Sequence, residues 1–144
     1  QISRRHFDEL YELRLLLETD AARSAALRMD DEKLTFLQGV AGVMSRRRFG
    51  DDRMRYSAFA RDDAVFHDKI MEFAGNELIR HTLAGQHTHF HIFRLMFHRS
   101  VTEEALDEHE KLLEAFANRN GDAAKEAMRE HIERSRQRLL PAFE

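Results

Sequence analysis

The stretch "DDAVFHDKIMEFAGN", residues 62–76, decides how this chain is read. At helical spacing, and taken one turn further upstream, one face runs Phe59, Asp63, Phe66, His67, Ile70, Phe73. That is the periodicity of an amphipathic helix. An acid and a histidine, one turn apart, stand in the stripe that should meet a core. Burying an ionised carboxylate costs several kcal/mol unless something pairs with it. Asp63 and His67 therefore demand partners elsewhere in the chain. The stretch also carries its own punctuation: Gly75 suits the left-handed position that ends a helix, and Asn76 suits the N-cap of the next.

Working outward, the pattern stays helical. A first helix is predicted from Arg4 to Arg28, and a second from the Asp30 cap to near Gly50. A third runs from after Asp51 to Ala74, and a fourth from the Asn76 cap to about His98. Ser100 and Glu103 have capping-box spacing at the start of a fifth, and a sixth follows "NRNGD", from about Asp122 to Leu140. The only proline is Pro141, so almost nothing interrupts helix. Gly39 and Gly42 cost the second helix about 1 kcal/mol each and mark either a close packing contact or a weak spot. The basic run "SRRRFG", residues 45–50, reads as a helix C-terminus, where cations complement the macrodipole. With no strand pattern and no repeat, the expected fold is all-α: an antiparallel bundle of about six helices forming one domain over residues 1–144.

Composition narrows the function classes. The chain has 144 residues and no cysteine, which excludes disulfides, thiolate metal sites and cysteine nucleophiles and fits a reducing, cytoplasmic setting. Its 23 basic and 26 acidic residues give a net charge of −3, unlike a nucleic-acid-binding surface. No apolar run is long enough to span a bilayer. The chain starts at Gln1 and enters helix almost at once, as a fragment of a longer protein would.

Three further helices repeat the puzzle of Asp63 and His67. Arg14 interrupts the stripe Phe7, Leu10, Leu17, Ala21; His109 interrupts Leu106, Leu113, Phe116; His131 and Ser135 interrupt Ala124, Met128, Leu139. One carboxylate and three imidazoles on three helices can converge inside a bundle. They suit a divalent zinc, nickel, manganese or iron ion; a buried hydrogen-bonded network is the other reading. A di-iron carboxylate enzyme needs Glu-x-x-His pairs, but Ala64, Leu106 and Met128 stand three before the histidines. A mononuclear metal enzyme acting on a small carboxylate is the main alternative to a binding domain, and a structural adaptor is another. Arg14 needs an acceptor: an external ligand, or Glu18 in an exposed pair worth a few tenths of a kcal/mol. The fourth helix carries Ile79, Leu83, Gln86, Phe90, Phe93 and Phe97 beside Arg80, His87, His91, Arg94 and His98. Either this is an aromatic core beside a solvated or dimer-contacting face, or Gln86 and Arg94 enter a ligand pocket. His81 and His89 read as surface residues.

Five segments, "LYELRLLLETDAARSAALR", "DDAVFH", "AGNELI", "DEHEKLLEAF" and "NGDAAKEAMREHI", resemble in order the motifs of the FCD domain. This is the C-terminal effector-binding domain of the FadR-type branch of GntR-superfamily bacterial transcription regulators. The resemblance implies that Asp63, His67, His109 and His131 are ligands of one divalent ion, zinc first among the candidates. It implies that Arg14 anchors the carboxylate of a small organic acid. It further implies a homodimeric sensor, not an enzyme, that meets DNA through an N-terminal winged-helix domain outside this chain.

Overall fold

A computed structural model describes residues 3–47, 53–86 and 99–143. Its described residues are helical, with no strand among them. The helices are α1 (Arg4–Leu27), α2 (Asp31–Arg47), α3 (Arg53–Ala74), α4 (Glu77–Ala84), α5 (Arg99–Ala117) and α6 (Gly121–Leu139), followed by a 3₁₀ turn over Leu140–Phe143.

Side-chain caps set most of these starts. The Ser3 hydroxyl accepts from His6 N–H, Asp30 Oδ1 from Lys33 N–H, Asn76 Oδ1 from Ile79 N–H and Asn120 Oδ1 from Ala123 N–H, at 2.8–3.1 Å. Each satisfies a backbone donor that helix geometry leaves without a partner. Gly75 has φ +87°, the conformation expected for the turn between α3 and α4.

Cross-helix pairs give the register. Asp8–Arg136, Tyr11–Ser135 and Arg23–Asp122 tie α1 to α6, with residue numbers rising on one helix as they fall on the other. Lys111–Glu130 and Glu104–Arg138 do the same for α5 and α6. Both pairings are therefore antiparallel. The core between them is Phe7, Tyr11, Phe59, Phe66, Ile70, Leu112, Phe116, Met128 and Ile132, with Ala21, Ala22, Ala25 and Ala26 allowing close approach along α1. α2 packs on α3, where Phe36 meets Phe73 edge-on.

Two boundaries differ from expectation. α4 ends at Ala84 instead of continuing to His98: the Gln86 N–H turns back to Leu83 O and tightens the last turn at Gly85. Residues 87–98, including Arg94 and His89, lie outside the described residues, as do residues 48–52 with the predicted end of the second helix. α5 begins at Arg99, one residue before the predicted cap. Among the described residues Gly39 and Gly42 make no close packing contact; none lies within 4 Å of a Cβ built at Gly39.

Candidate metal centre

α3 brings Asp63 and His67 to the middle of the molecule, α5 brings His109 and α6 brings His131, all buried. One potential ligand atom from each lies within 4.8 Å of the others. His109 Nε2 is 3.0 Å from Asp63 Oδ1, and His67 Nε2 is 3.7 Å from the same oxygen. His67 Nε2 and His131 Nε2 are 3.2 Å apart. The four residues that interrupt apolar stripes in the sequence thus form one cluster.

Hydrogen bonds link Glu18, His67, His131 and Glu108, but they do not account for the whole cluster. Asp63 Oδ1 and both ring nitrogens of His109 are buried without a hydrogen-bond partner among the described residues. The 3.0 Å approach of Asp63 and His109 lacks the alignment of a hydrogen bond. Buried polar atoms are rarely left this way, and such exceptions call for an explanation. Ligand atoms gathered within 4.8 Å of one another, with unsatisfied atoms among them, are what a shared cation requires. The oxygen and imidazole nitrogens are also suitable zinc-type ligands. On this observation the residues fit a divalent ion.

Two carboxylates behind the imidazoles strengthen the fit. Glu18 Oε1 lies 2.8 Å from His67 Nδ1, and Glu108 Oε1 lies 2.6 Å from His131 Nδ1. Both acids are buried. Burial alone would raise the Glu18 carboxyl, but Arg14 and His67 hold it well below the usual carboxylate range. Burial likewise opposes ionisation of Glu108, yet His131 and Arg138 lower it to about 2. An ionised carboxylate only accepts, so each imidazole donates through Nδ1–H. When both rings are neutral, the facing Nε2 atoms are lone pairs, which is the arrangement of carboxylate–histidine–metal triads.

The charges of the cluster agree. Burial pushes Asp63 up, but His67, His109 and His131 more than offset it and keep it ionised. Burial lowers His131 to about 4, and neighbouring His109 and His67 add to that against the pull of Glu108. His67 moves the other way: burial lowers it, but Asp63 and Glu18 outweigh burial and raise it. His109 has no carboxylate behind it among the described residues and stacks instead on Phe66, with ring centroids 4.4 Å apart.

Arg14 is buried as its place in the α1 stripe implies. Its partner is Glu18, through Nε, and this pair is buried, not the exposed pair expected from spacing. The guanidinium also lies over the Tyr11 ring, 5.0 Å from its centroid. Among the described residues the two terminal amino groups of Arg14 take no hydrogen-bond acceptor. A cavity of about 590 Å³ opens here, bordered by Arg14, Glu18, His67, Met71, Arg80 and Gln86. Gln86, at the end of α4, is on the border of this cavity. The other cations on this wall are engaged: Arg80 makes two bonds of 3.0–3.1 Å to Asp68, and Lys69 reaches Glu72 at 2.9 Å.

Glu108 and Arg138 are site residues that the sequence reading missed, and Glu18 was named there only as an exposed partner of Arg14. Arg138 grips Glu108 through both terminal nitrogens, at 2.6 and 2.8 Å. A signal for Glu18 existed: it continues the buried line Phe7, Tyr11, Arg14, while Leu17 beside it is only half-buried. Glu108 stands one turn before Leu112 and two before Phe116, both fully buried.

The FCD domain family matches residues 9–134, and the chain belongs to that family. Among solved structures, the Streptococcus agalactiae GntR is similar, with 26% sequence identity and a TM-score of 0.78; the match covers 92% of this chain and 59% of that one. The E. coli McbR/YncC is similar in fold at 14% identity and a TM-score of 0.86, covering 99% of this chain and 71% of that one. This chain thus spans about 59% of the length of the streptococcal regulator it matches. No curated protein matches the sequence significantly. No helix among the described residues is long and apolar enough to cross a membrane.

Proposed function

We propose that this chain is the ligand-sensing domain of a bacterial transcription regulator. It holds one divalent ion on Asp63, His67, His109 and His131 and binds a small organic acid between that ion and Arg14. The observation that carries this reading is the set of buried donor atoms within 4.8 Å of one another, several of them without a hydrogen-bond partner. Zinc is the first candidate, and nickel, manganese or iron suit the same donors. The ion, when bound, supplies a Lewis-acidic attachment point for a carboxylate or hydroxyl oxygen.

The protein's own groups do the rest. Glu18 and Glu108 orient the two imidazoles. Arg14 offers its terminal amino groups to the cavity, where a carboxylate can accept from both at once. The cavity is of the size usual for small-molecule sites. Membership of the FCD family supports binding without turnover. The differential affinity of the acid for two arrangements of a homodimer would then bias DNA contact by an N-terminal domain.

Metal analysis of protein purified without added metal, followed by calorimetry with a panel of small mono- and dicarboxylates, tests the reading. One ion per chain and binding of an acid that depends on both the ion and Arg14 are expected. Protein that neither carries nor takes up a divalent ion would overturn it. Conversion of a bound acid to product would replace the sensor with the enzyme reading.

A further inference from the structure

Among the described residues, Glu18 is the one carboxylate that touches both halves of the site. Its Oε1 accepts from His67 Nδ1, 2.8 Å away, and its Oε2 accepts from Arg14 Nε. Glu108 has a parallel place, between His131 and Arg138, but Arg138 lies on the α5–α6 side, next to Glu104 and Gln137, away from the cavity of Arg14. The two acids are alike in chemistry and differ in what lies behind them.

We infer that Glu18 is a positioning residue that fixes the metal-binding tautomer of His67 and, with its other oxygen, the orientation of the Arg14 fork. This rests on the metal and effector reading above and extends it. The inference follows from counting donors. His67 Nδ1–H and Arg14 Nε–H both need an acceptor, and a carboxylate supplies one oxygen to each. An amide in the same place has a single oxygen. If that oxygen serves Arg14, the amide N–H₂ faces His67 Nδ1, which must then be the lone pair. The ring proton moves to Nε2, and the lone pair that faces the cluster is lost. If the oxygen serves His67 instead, the amide N–H₂ opposes Arg14 Nε–H and the fork turns away. Neither choice preserves both halves.

The test is Glu18→Gln, with Glu108→Gln beside it. Zinc affinity is read by competition with a chromophoric chelator. The imidazole tautomers and the Arg14 Nε–H signal are read by ¹⁵N NMR. Glu18→Gln is expected to weaken zinc binding by about 10–100-fold. It is also expected to move the His67 proton to Nε2 or to shift the Arg14 Nε–H signal. Glu108→Gln is expected to weaken zinc binding while leaving the Arg14 signal in place. Zinc affinity within about threefold of wild type in Glu18→Gln, with both NMR signals unmoved, would overturn the inference. Should Glu18→Gln not fold, the wild-type spectrum decides: His67 protonated on Nδ1 supports the assignment, and on Nε2 overturns it. Wild-type protein that takes up no zinc would defeat the metal reading alone, since the His67 and Arg14 signals report on Glu18 in metal-free protein too.

Discussion

His67 and His131 face each other through Nε2 at 3.2 Å, while the opposite nitrogen of each is held by a buried carboxylate. Two neutral imidazoles in that orientation repel unless a proton or a metal cation lies between them. The relationship makes the cluster's response to metal the most direct of the measurements that follow.

Zinc at a thousandfold excess over its dissociation constant is expected to stabilise the native protein by about 4 kcal/mol, because only the folded state gathers the four ligands. Chelated protein should therefore melt lower than loaded protein. In His109→Ala, which removes a ligand without touching the two carboxylate-held rings, most of that difference should vanish. Thermal scans with and without zinc decide it; an unchanged difference in His109→Ala would remove His109 from the ligand set.

Arg14→Ala is expected to weaken acid binding by about 2–5 kcal/mol, the usual loss for a buried charged contact. Metal stoichiometry should stay at one ion per chain, since all four ligands remain. Calorimetry of the loaded variant, using an acid that binds wild type without stripping the ion, measures this. Unchanged affinity would leave Arg14 with a structural role only.

Glu108 gives a pH signature in metal-free protein. Its carboxyl is held at about 2 in the fold against an ordinary 4.5: burial opposes ionisation, and His131 and Arg138 outweigh burial. A depressed carboxylate contributes stability that is complete above its unfolded pKa and is lost as pH falls towards its folded one. The stability gap between wild type and Glu108→Gln should therefore be constant above about pH 5 and shrink steadily below 4.5. Urea titrations from pH 7 to pH 3 test the sign; a gap that widens in acid would contradict the assignment.

Two glycines should respond in opposite directions to alanine. At Gly39, inside α2, no described residue lies within 4 Å of a Cβ, so Gly39→Ala should stabilise by about 0.5–1 kcal/mol. At Gly75, φ is +87° and a Cβ would fall 2.3 Å from Arg28 Nη1. Gly75→Ala should destabilise by about 1–2 kcal/mol through the left-handed backbone, with a further contribution if Arg28 cannot move aside. Chemical denaturation of both variants is the comparison.

The four residues of the buried cluster were legible in the sequence because each breaks an apolar stripe, where a polar side chain is conspicuous. Their two carboxylate partners were not. Glu18 and Glu108 each adjoin a residue that had already been placed on the stripe, Leu17 and His109, and an acid beside such a stripe is read as solvated. In α1 the buried line instead runs through Tyr11, Arg14 and Glu18, leaving Leu17 half-buried and Leu16 exposed. Periodicity alone cannot decide between adjacent positions at the edge of a face. Packing against α3 and α6 decides it. The fourth helix was read too long because its apolar spacing persists across Gly85, whereas the backbone already turns at Gln86.

α1 has the build of a lever arm. It contains neither glycine nor proline over its 24 residues, giving an unbroken rod about 36 Å long. Glu18 lies 14 positions from Arg4, about 21 Å along that rod. A tilt of about 5° with its pivot at Glu18 would carry the far end sideways by about 2 Å, a displacement far larger than any adjustment needed at the pivot. The α1–α6 ion pair Asp8–Arg136 lies close to that moving end, so a change of angle set at the centre would register there as a change of contact.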